Sequence, residues 1–281
     1  MYVLPFLQKK NEAGVCPPVL RPPRTVRLQA VALLVCLLFC ACGIDNYIYL
    51  YRVETYFNKP NSSNDFARNY CAFQTPDTEN NNSAPGYFRG FEIYYRIYTS
   101  LSVLESEIYA INSYNEDDST RAMAFSYLTG TYRYKRLAAS GRLTDMPLIP
   151  AWGGPDRAAV VRIYHSDGSY RAGVRVYGIG PVFPEDGTLL ADYGLPRRTV
   201  GGITRNTRDY EFHTAEISSG DDDVSWTAGT GTVDECYVQF YAVTYGYDDT
   251  FTNIYSELFD LGYITLNRDW DRDQSRSTDP H

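Results

Sequence analysis

Beyond residue 44, apolar residues recur at every second position through most of the chain, and at every third or fourth position in one central stretch. Segment 45–57 alternates Tyr47, Tyr49 and Tyr51 against Ile48, Leu50 and Val53, which predicts a strand. Segments 66–73 and 87–98 predict two more, separated by the polar run 74–86, which reads as a long loop. In 87–98, Phe91, Ile93, Tyr95 and Ile97 share one face, with Glu92, Tyr94 and Arg96 on the other. The period then lengthens: Leu101, Leu104, Ile108 and Ile111 form the stripe of an amphipathic helix, with Glu107 on its exposed side. Ser119 stands where it would cap a second helix, in which Phe125, Leu128 and Tyr132 share a face and which Gly141 ends. This hairpin, 101–141, is expected to present Leu104, Ile108, Phe125 and Leu128 to one another or to a sheet. Period two returns at 146–149, 160–165, 174–179, 210–217, 236–246 and 258–266, with a turn at 166–170. The Gly- and Pro-rich segment 180–202 reads as an exposed loop, and the charged 268–281 as a flexible tail. The pattern therefore predicts a mainly β protein of antiparallel sheets packed on one another, interrupted by a helical hairpin.

Composition sharpens this picture at two points. Charged residues make up 21% and hydrophobic ones 44% of the 281 residues, which excludes a disordered chain. Aromatic mass comes mainly from tyrosine, 26 against 13 Phe and 3 Trp, a residue suited to half-buried strands and to binding surfaces. Formal charge is −8, and basic residues gather ahead of residue 28. Without residues 1–41, which hold five basic residues and one acidic, the net charge becomes −12. A body so acidic repels the phosphate backbone, so a nucleic-acid partner is excluded.

The basic N-terminal region runs into an apolar core at 31–39 that has the length of a signal-peptide h-region and is too short to span a bilayer. It ends in Phe39-Cys40-Ala41-Cys42-Gly43, which resembles the lipobox of bacterial lipoproteins in the relaxed form found in spirochaetes: a large apolar residue, two small ones, then the lipidated cysteine. Cys36 and Cys40 follow bulky residues and fit that pattern less well. The resemblance implies that 1–41 is a lipoprotein signal peptide and that Cys42 becomes the acylated N-terminus of an exported, membrane-anchored protein. Two or more acyl chains hold a protein stably at a bilayer, at about 0.8 kcal/mol per buried methylene. The other readings are an uncleaved signal anchor and a plain secretory peptide.

Two separated stretches, 66–98 and 234–266, resemble the B–C and F–G strand pairs of a fibronectin type III or immunoglobulin-like module. Phe73 stands where that family has its core Trp, Phe91, Ile93 and Tyr95 alternate inward, and so do Val238, Phe240 and Ala242. Cys236 replaces the family's corner tyrosine, and about 135 residues separate the C-like and F-like strands, many more than the family uses. The resemblance implies a β-sandwich body over 42–267, with the hairpin and extra strands inserted at about 99–232. It also implies that the C-like and F-like strands are neighbours, so that Tyr95 and Phe240 meet although 145 positions apart. Cys71 and Cys236 would both point inward, either bridging the sheets as a disulfide or packing as two buried thiols. Tyr94, Tyr98, Tyr237, Tyr241, Tyr245 and Tyr247 would line outward faces or loop ends, as a binding surface or as packing beneath the hairpin.

Catalytic and metal motifs are not spelled out. His165, His213 and His281 are widely spaced, and Asp221-Asp222-Asp223 lacks the alternation of a calcium loop and reads as a solvated acidic turn. No catalytic residue, metal or cofactor is assigned. The sequence therefore points to a binding, structural or assembly component of the cell envelope, anchored in a bilayer through Cys42 and facing periplasm or cell surface. Its partner would be an envelope protein, peptide or glycan. An exported enzyme or solute-handling protein is the alternative.

Overall fold

Two antiparallel sheets share one apolar core, and the strands that build it come from opposite ends of the sequence. The computed structural model describes residues 48–60, 68–163, 172–201, 203–204, 212–227, 229 and 233–267, all within one compact unit that begins at Ile48. The expected signal peptide 1–41, Cys42, the expected turn 166–170, the start of the 210–217 segment and the segment 268–281 lie outside the described residues.

In chain order the strands are β1 (Tyr56–Asn58), β2 (Cys71–Thr75), β3 (Phe88–Tyr98), β4 (Lys135–Arg136), β5 (Ala138–Ala139), β6 (Ile149–Pro150), β7 (Arg157–Arg162) and β8 (Gly173–Gly178). They continue as β9 (Leu189–Asp192), β10 (Pro196–Arg197), β11 (Thr199–Val200), β12 (Ile203–Thr204), β13 (Val224–Ser225), β14 (Glu235–Tyr247), β15 (Asn253–Tyr255) and β16 (Phe259–Asn267). The helices are α1 (Asp77–Ser83), α2 (Leu101–Glu116) and the single turn α3 (Ala124–Ser126). One sheet has the order β1-β2-β7-β8-β9. The other is centred on β3 and β14, with β16 and β15 along the free side of β14 and β4, β6 and β13 along that of β3. Every pairing is antiparallel except the short β13–β3 contact.

The central pair β3 and β14 is adjacent, as the resemblance of their segments to C-like and F-like strands implied. Phe240 lies opposite Tyr95, Val238 opposite Ile97 and Ala242 opposite Ile93. Their inward faces meet Cys71, Phe73, Ala159, Val161, Val174 and Val176 of the facing sheet in one buried cluster. The insertion contributes more than a hairpin: β7, β8 and β9 extend the sheet begun by β2. Gly90 is required where β6 meets β3, because its φ is +140° and a Cβ there would sit 2.2 Å from the Ile149 carbonyl oxygen.

Several predicted elements differ for identifiable reasons. Among the described residues of 45–57 only Tyr56 and Phe57 join a ladder, as part of β1, and farther back the Tyr51 N–H and C=O are both taken by the Asn80 side chain. Helix α1 occupies the expected loop 74–86, its inward residues being the polar Asp77 and Asn80. Helix α2 is present and stops at Glu116, where Asp117 turns extended and its carboxylate accepts the Ser119 N–H at 2.8 Å. Ser119 thus closes that turn and caps no helix. The second helical stretch is irregular, passing from 3-10 to α to π geometry between Arg121 and Thr131, and Gly141 ends no helix.

Helix α2 and this stretch cover the outer face of the β3–β14 sheet and form a second buried cluster. Leu104, Ile111 and Leu128 are fully buried in it, whereas Ile108 and Phe125 are half-buried. Leu104→Ala is expected to destabilise by about 2–5 kcal/mol in urea unfolding, the cost of a cavity in a packed core, and Ile108→Ala by clearly less. Equal losses would contradict the observed phase of the helix. Glu107 departs from its expected exposed side, since its carboxylate accepts the hydroxyl of the fully buried Tyr98 at 2.7 Å.

Candidate functional site

A concavity of about 250 Å³ opens beside β4 and β5, between β3 and the turn that leads to β6. Its walls are apolar, from Leu137, Leu143, Met146 and Leu148, and two guanidinium groups, Arg136 and Arg142, line it as well. Strand pairing fixes the inner wall: β4 runs beside Tyr94 and Tyr95, the Leu137 N–H donates to the Ile93 carbonyl at 2.7 Å, and β5 pairs with β10. The outer wall is the turn 140–148. It is pinned by the Ser140 N–H to the Leu195 carbonyl at 2.9 Å and by the Gly141 N–H to the Tyr193 carbonyl at 2.8 Å. A Cβ at position 141 would stand 2.9 Å from that same Tyr193 oxygen, so the close approach explains the glycine.

The two arginines are in different electrostatic states. Arg136 pairs at 3.0 Å with Glu92, which is 3% exposed and whose other oxygen accepts the Tyr94 hydroxyl at 2.7 Å. Burial raises the Glu92 carboxyl above its ordinary range, against the opposing pull of Arg136 and Tyr94. Arg136 also donates to the carbonyls of Thr144 and Met146, so it is both charge-neutralised and committed to shaping the turn. Arg142 donates to the Pro147 carbonyl through Nε and Nη2, at 3.4 and 3.2 Å, and lies 5.0 Å from the Tyr193 ring centroid. Among the described residues no carboxylate pairs with it. An uncompensated cation against leucine and methionine side chains suits a ligand that carries one carboxylate beside a small apolar group.

Below the concavity, buried ion pairs hold the long connectors to the sheets. Arg198, fully buried, makes a two-pronged pair with Asp223 at 2.9 and 2.7 Å, reaches Asp221 at 2.6 Å and donates to the Glu216 carbonyl at 2.9 Å. The Tyr95 hydroxyl completes the cluster, donating to Asp223 at 2.8 Å and accepting the Thr199 N–H at 2.6 Å. Asp222 pairs with Lys135 at 2.6 Å. The acidic run 221–223 is therefore no solvated turn: each carboxylate holds a cation of another segment. Segment 180–202 is likewise no plain loop, since it supplies β9, β10 and β11 and the buried Arg198. A separate pair, Arg157 with Asp77 at 2.9 and 3.0 Å, binds β7 to α1. Among the described residues no three His, Cys, Asp or Glu side chains converge on a metal position.

The residues singled out from sequence are placed as follows. Tyr94, Tyr98 and Tyr241 form no open binding surface, because α2 and the helical stretch cover them; Tyr98 and Tyr241 are 0% exposed. Their hydroxyls are bonded, Tyr98 to Glu107 and Tyr241 to Asn112 at 3.0 Å, which makes burial of such polar rings affordable. Tyr245 is buried at the β15 ladder, whereas Tyr237 and Tyr247 stay half-exposed at opposite ends of β14. These rings share the outer side of the β3–β14 sheet, yet they serve mainly as packing and present no single open surface.

Cys71 and Cys236 do point inward, yet both are buried thiols and no disulfide joins them. Cys71 Sγ lies 3.6 Å from the Leu261 carbonyl, whereas Cys236 is opposite Leu266, five residues farther along β16. That offset is about 16 Å at strand rise, well beyond the Cα separation a disulfide spans. Burial also raises the Cys71 thiol far above its ordinary range. The expected result with a maleimide is no modification of either thiol in folded protein and modification of both after denaturation without reductant, read by intact mass.

The concavity itself escapes the sequence reading, because its residues are spread over a short turn and strands of two residues each. Comparison of the chain with protein-family models, with curated proteins and with solved structures finds no match.

Proposed function

We propose that this is an exported lipoprotein, held to a bilayer by acylated Cys42, whose β body is a binding component of the cell envelope on the periplasmic or outer surface. The observation that carries the binding half is the concavity in which Arg142 has no carboxylate partner among the described residues. Its size admits one sugar ring or one peptide terminus, so the partner is an envelope peptide or glycan that bears a carboxylate. The β3-β14-β16 strand order and the facing β2 support the fibronectin-like reading of the body, with the insertion adding the concavity and the helical cover.

A photoreactive residue at Leu143, an exposed rim position, tests this in intact cells. The expected outcome is a discrete adduct that disappears when Arg142→Gln is added. Adducts indistinguishable from those of the same probe at Tyr109, exposed on α2, would overturn the assignment.

A further inference from the structure

The position at which the chain joins its body suggests how that body sits at the bilayer. Resting on the lipid anchor at Cys42, we propose that the end of the body carrying Tyr49, Tyr51, Tyr247 and Phe251 is a membrane-contacting surface that lies in the headgroup layer.

Cys42 is six peptide steps from Ile48, a reach of at most about 22 Å even if fully extended. Ile48 already packs against the main core, so the tether has no slack within the body. The segment that follows fixes which end is involved. The Tyr51 carbonyl accepts the Thr244 hydroxyl at 2.6 Å, and Leu50 lies over Gly246, so tracing back toward Ile48 leads toward the end of β14. The Tyr49 carbonyl accepts the Ser83 hydroxyl at 3.0 Å, at the C-terminus of α1, which leads directly into the start of β3. The join therefore stands at the end of the body where β14 turns into β15.

That end is rimmed with aromatic rings. Tyr49 and Tyr51 are 44% and 43% exposed and meet edge to face at 5.0 Å. The Tyr247 ring carries the Arg89 guanidinium at 5.2 Å. Beyond them Phe251, 81% exposed, occupies the tip of the β14–β15 connection with φ at +62°, a conformation bulky residues rarely adopt. The tip is tied rather than loose: the Asp248 carboxylate accepts the Thr250 and Thr252 N–H groups at 2.9 and 2.8 Å, and the Phe251 N–H donates to the Asp248 carbonyl at 3.1 Å. Tyrosine rings and a cation over a ring favour the bilayer interface, where one side of the ring is apolar and the other wet. Asp248 and Asp249 stand beside the tip, so the contact is with the apolar margin of zwitterionic lipid and gains nothing from anionic headgroups.

The test uses the full chain, matured in a bacterium that processes lipoproteins and reconstituted in phosphatidylcholine vesicles containing a spin-labelled quencher lipid. Phe251→Cys supplies an accessible thiol for a fluorophore, since Cys71 and Cys236 are buried. Ser102→Cys, exposed just beyond the opposite end of β3, is the control about 30 Å away along the strands. Intact mass first establishes whether Cys42 carries diacylglycerol; its absence overturns the anchor and the proposal with it. With the lipid present, quenching at position 251 is expected to exceed that at position 102 by about threefold or more. Equal quenching at the two positions would overturn the membrane contact and leave the anchor standing.

Discussion

Asp223→Ala is expected to cost about 3–5 kcal/mol of folding stability, read as a lower urea midpoint with an unchanged slope. Asp223 and Arg198 are both fully buried, and the carboxylate accepts three bonds, two from Arg198 and one from the Tyr95 hydroxyl. Removing it leaves the guanidinium with Asp221 as its one ionic partner among the described residues and takes from the Tyr95 hydroxyl its acceptor on Asp223. A charge stranded in a low-dielectric core is far more costly than a lost surface pair, which is worth at most about 1 kcal/mol. The pair itself need not be a net source of stability, because desolvating both ions offsets much of their attraction. Arg198→Met combined with Asp223→Leu is accordingly expected to recover most of the loss, and adding Tyr95→Phe to recover more. A single-mutant loss below about 1 kcal/mol would mean that Arg198 is hydrated and the connectors are not locked to the sheet.

The same cluster shows why parts of the fold were hidden in the sequence. Strands β3, β14 and β16 were legible because their apolar alternation marks them as strands, whereas the expectation that Tyr95 and Phe240 meet came from the fibronectin-like resemblance of the segments that hold them. The second face of β3 and β14 was ambiguous because it is written in tyrosine, which reads as solvent-facing yet is buried here with its hydroxyls bonded. Helix α1 was illegible because the residues it turns inward are Asp77 and Asn80, and their partners, Arg157 and the Tyr51 backbone, are remote in sequence. Segment 180–202 looked like a loop for a related reason. Its anchor is an arginine, and the carboxylates that make its burial affordable lie 23 and 25 residues farther on.

For the candidate site, the sequence offered neither the concavity nor its cation. Arg142 stands among Gly, Pro, Ser and Asp residues that read as a connector, and only the ladder of β5 with β10 brings it to Tyr193. The inward direction of both cysteines was legible from the alternation of β2 and β14, but their offset along the strands was not. Inter-sheet stagger depends on how the sheets pack, and no single strand records it.

The claim on which the functional account depends is the lipid on Cys42, and metabolic labelling with an alkyne fatty acid tests it most directly. In a bacterium that matures lipoproteins, the full chain is expected to incorporate the label and to lose residues 1–41. Cys42→Ala should abolish labelling and accumulate the longer precursor, because the signal peptidase of this pathway cleaves only after the cysteine has been alkylated. Labelling of Cys42→Ala at the level of the parent, or an unlabelled parent chain cleaved elsewhere, would contradict the account.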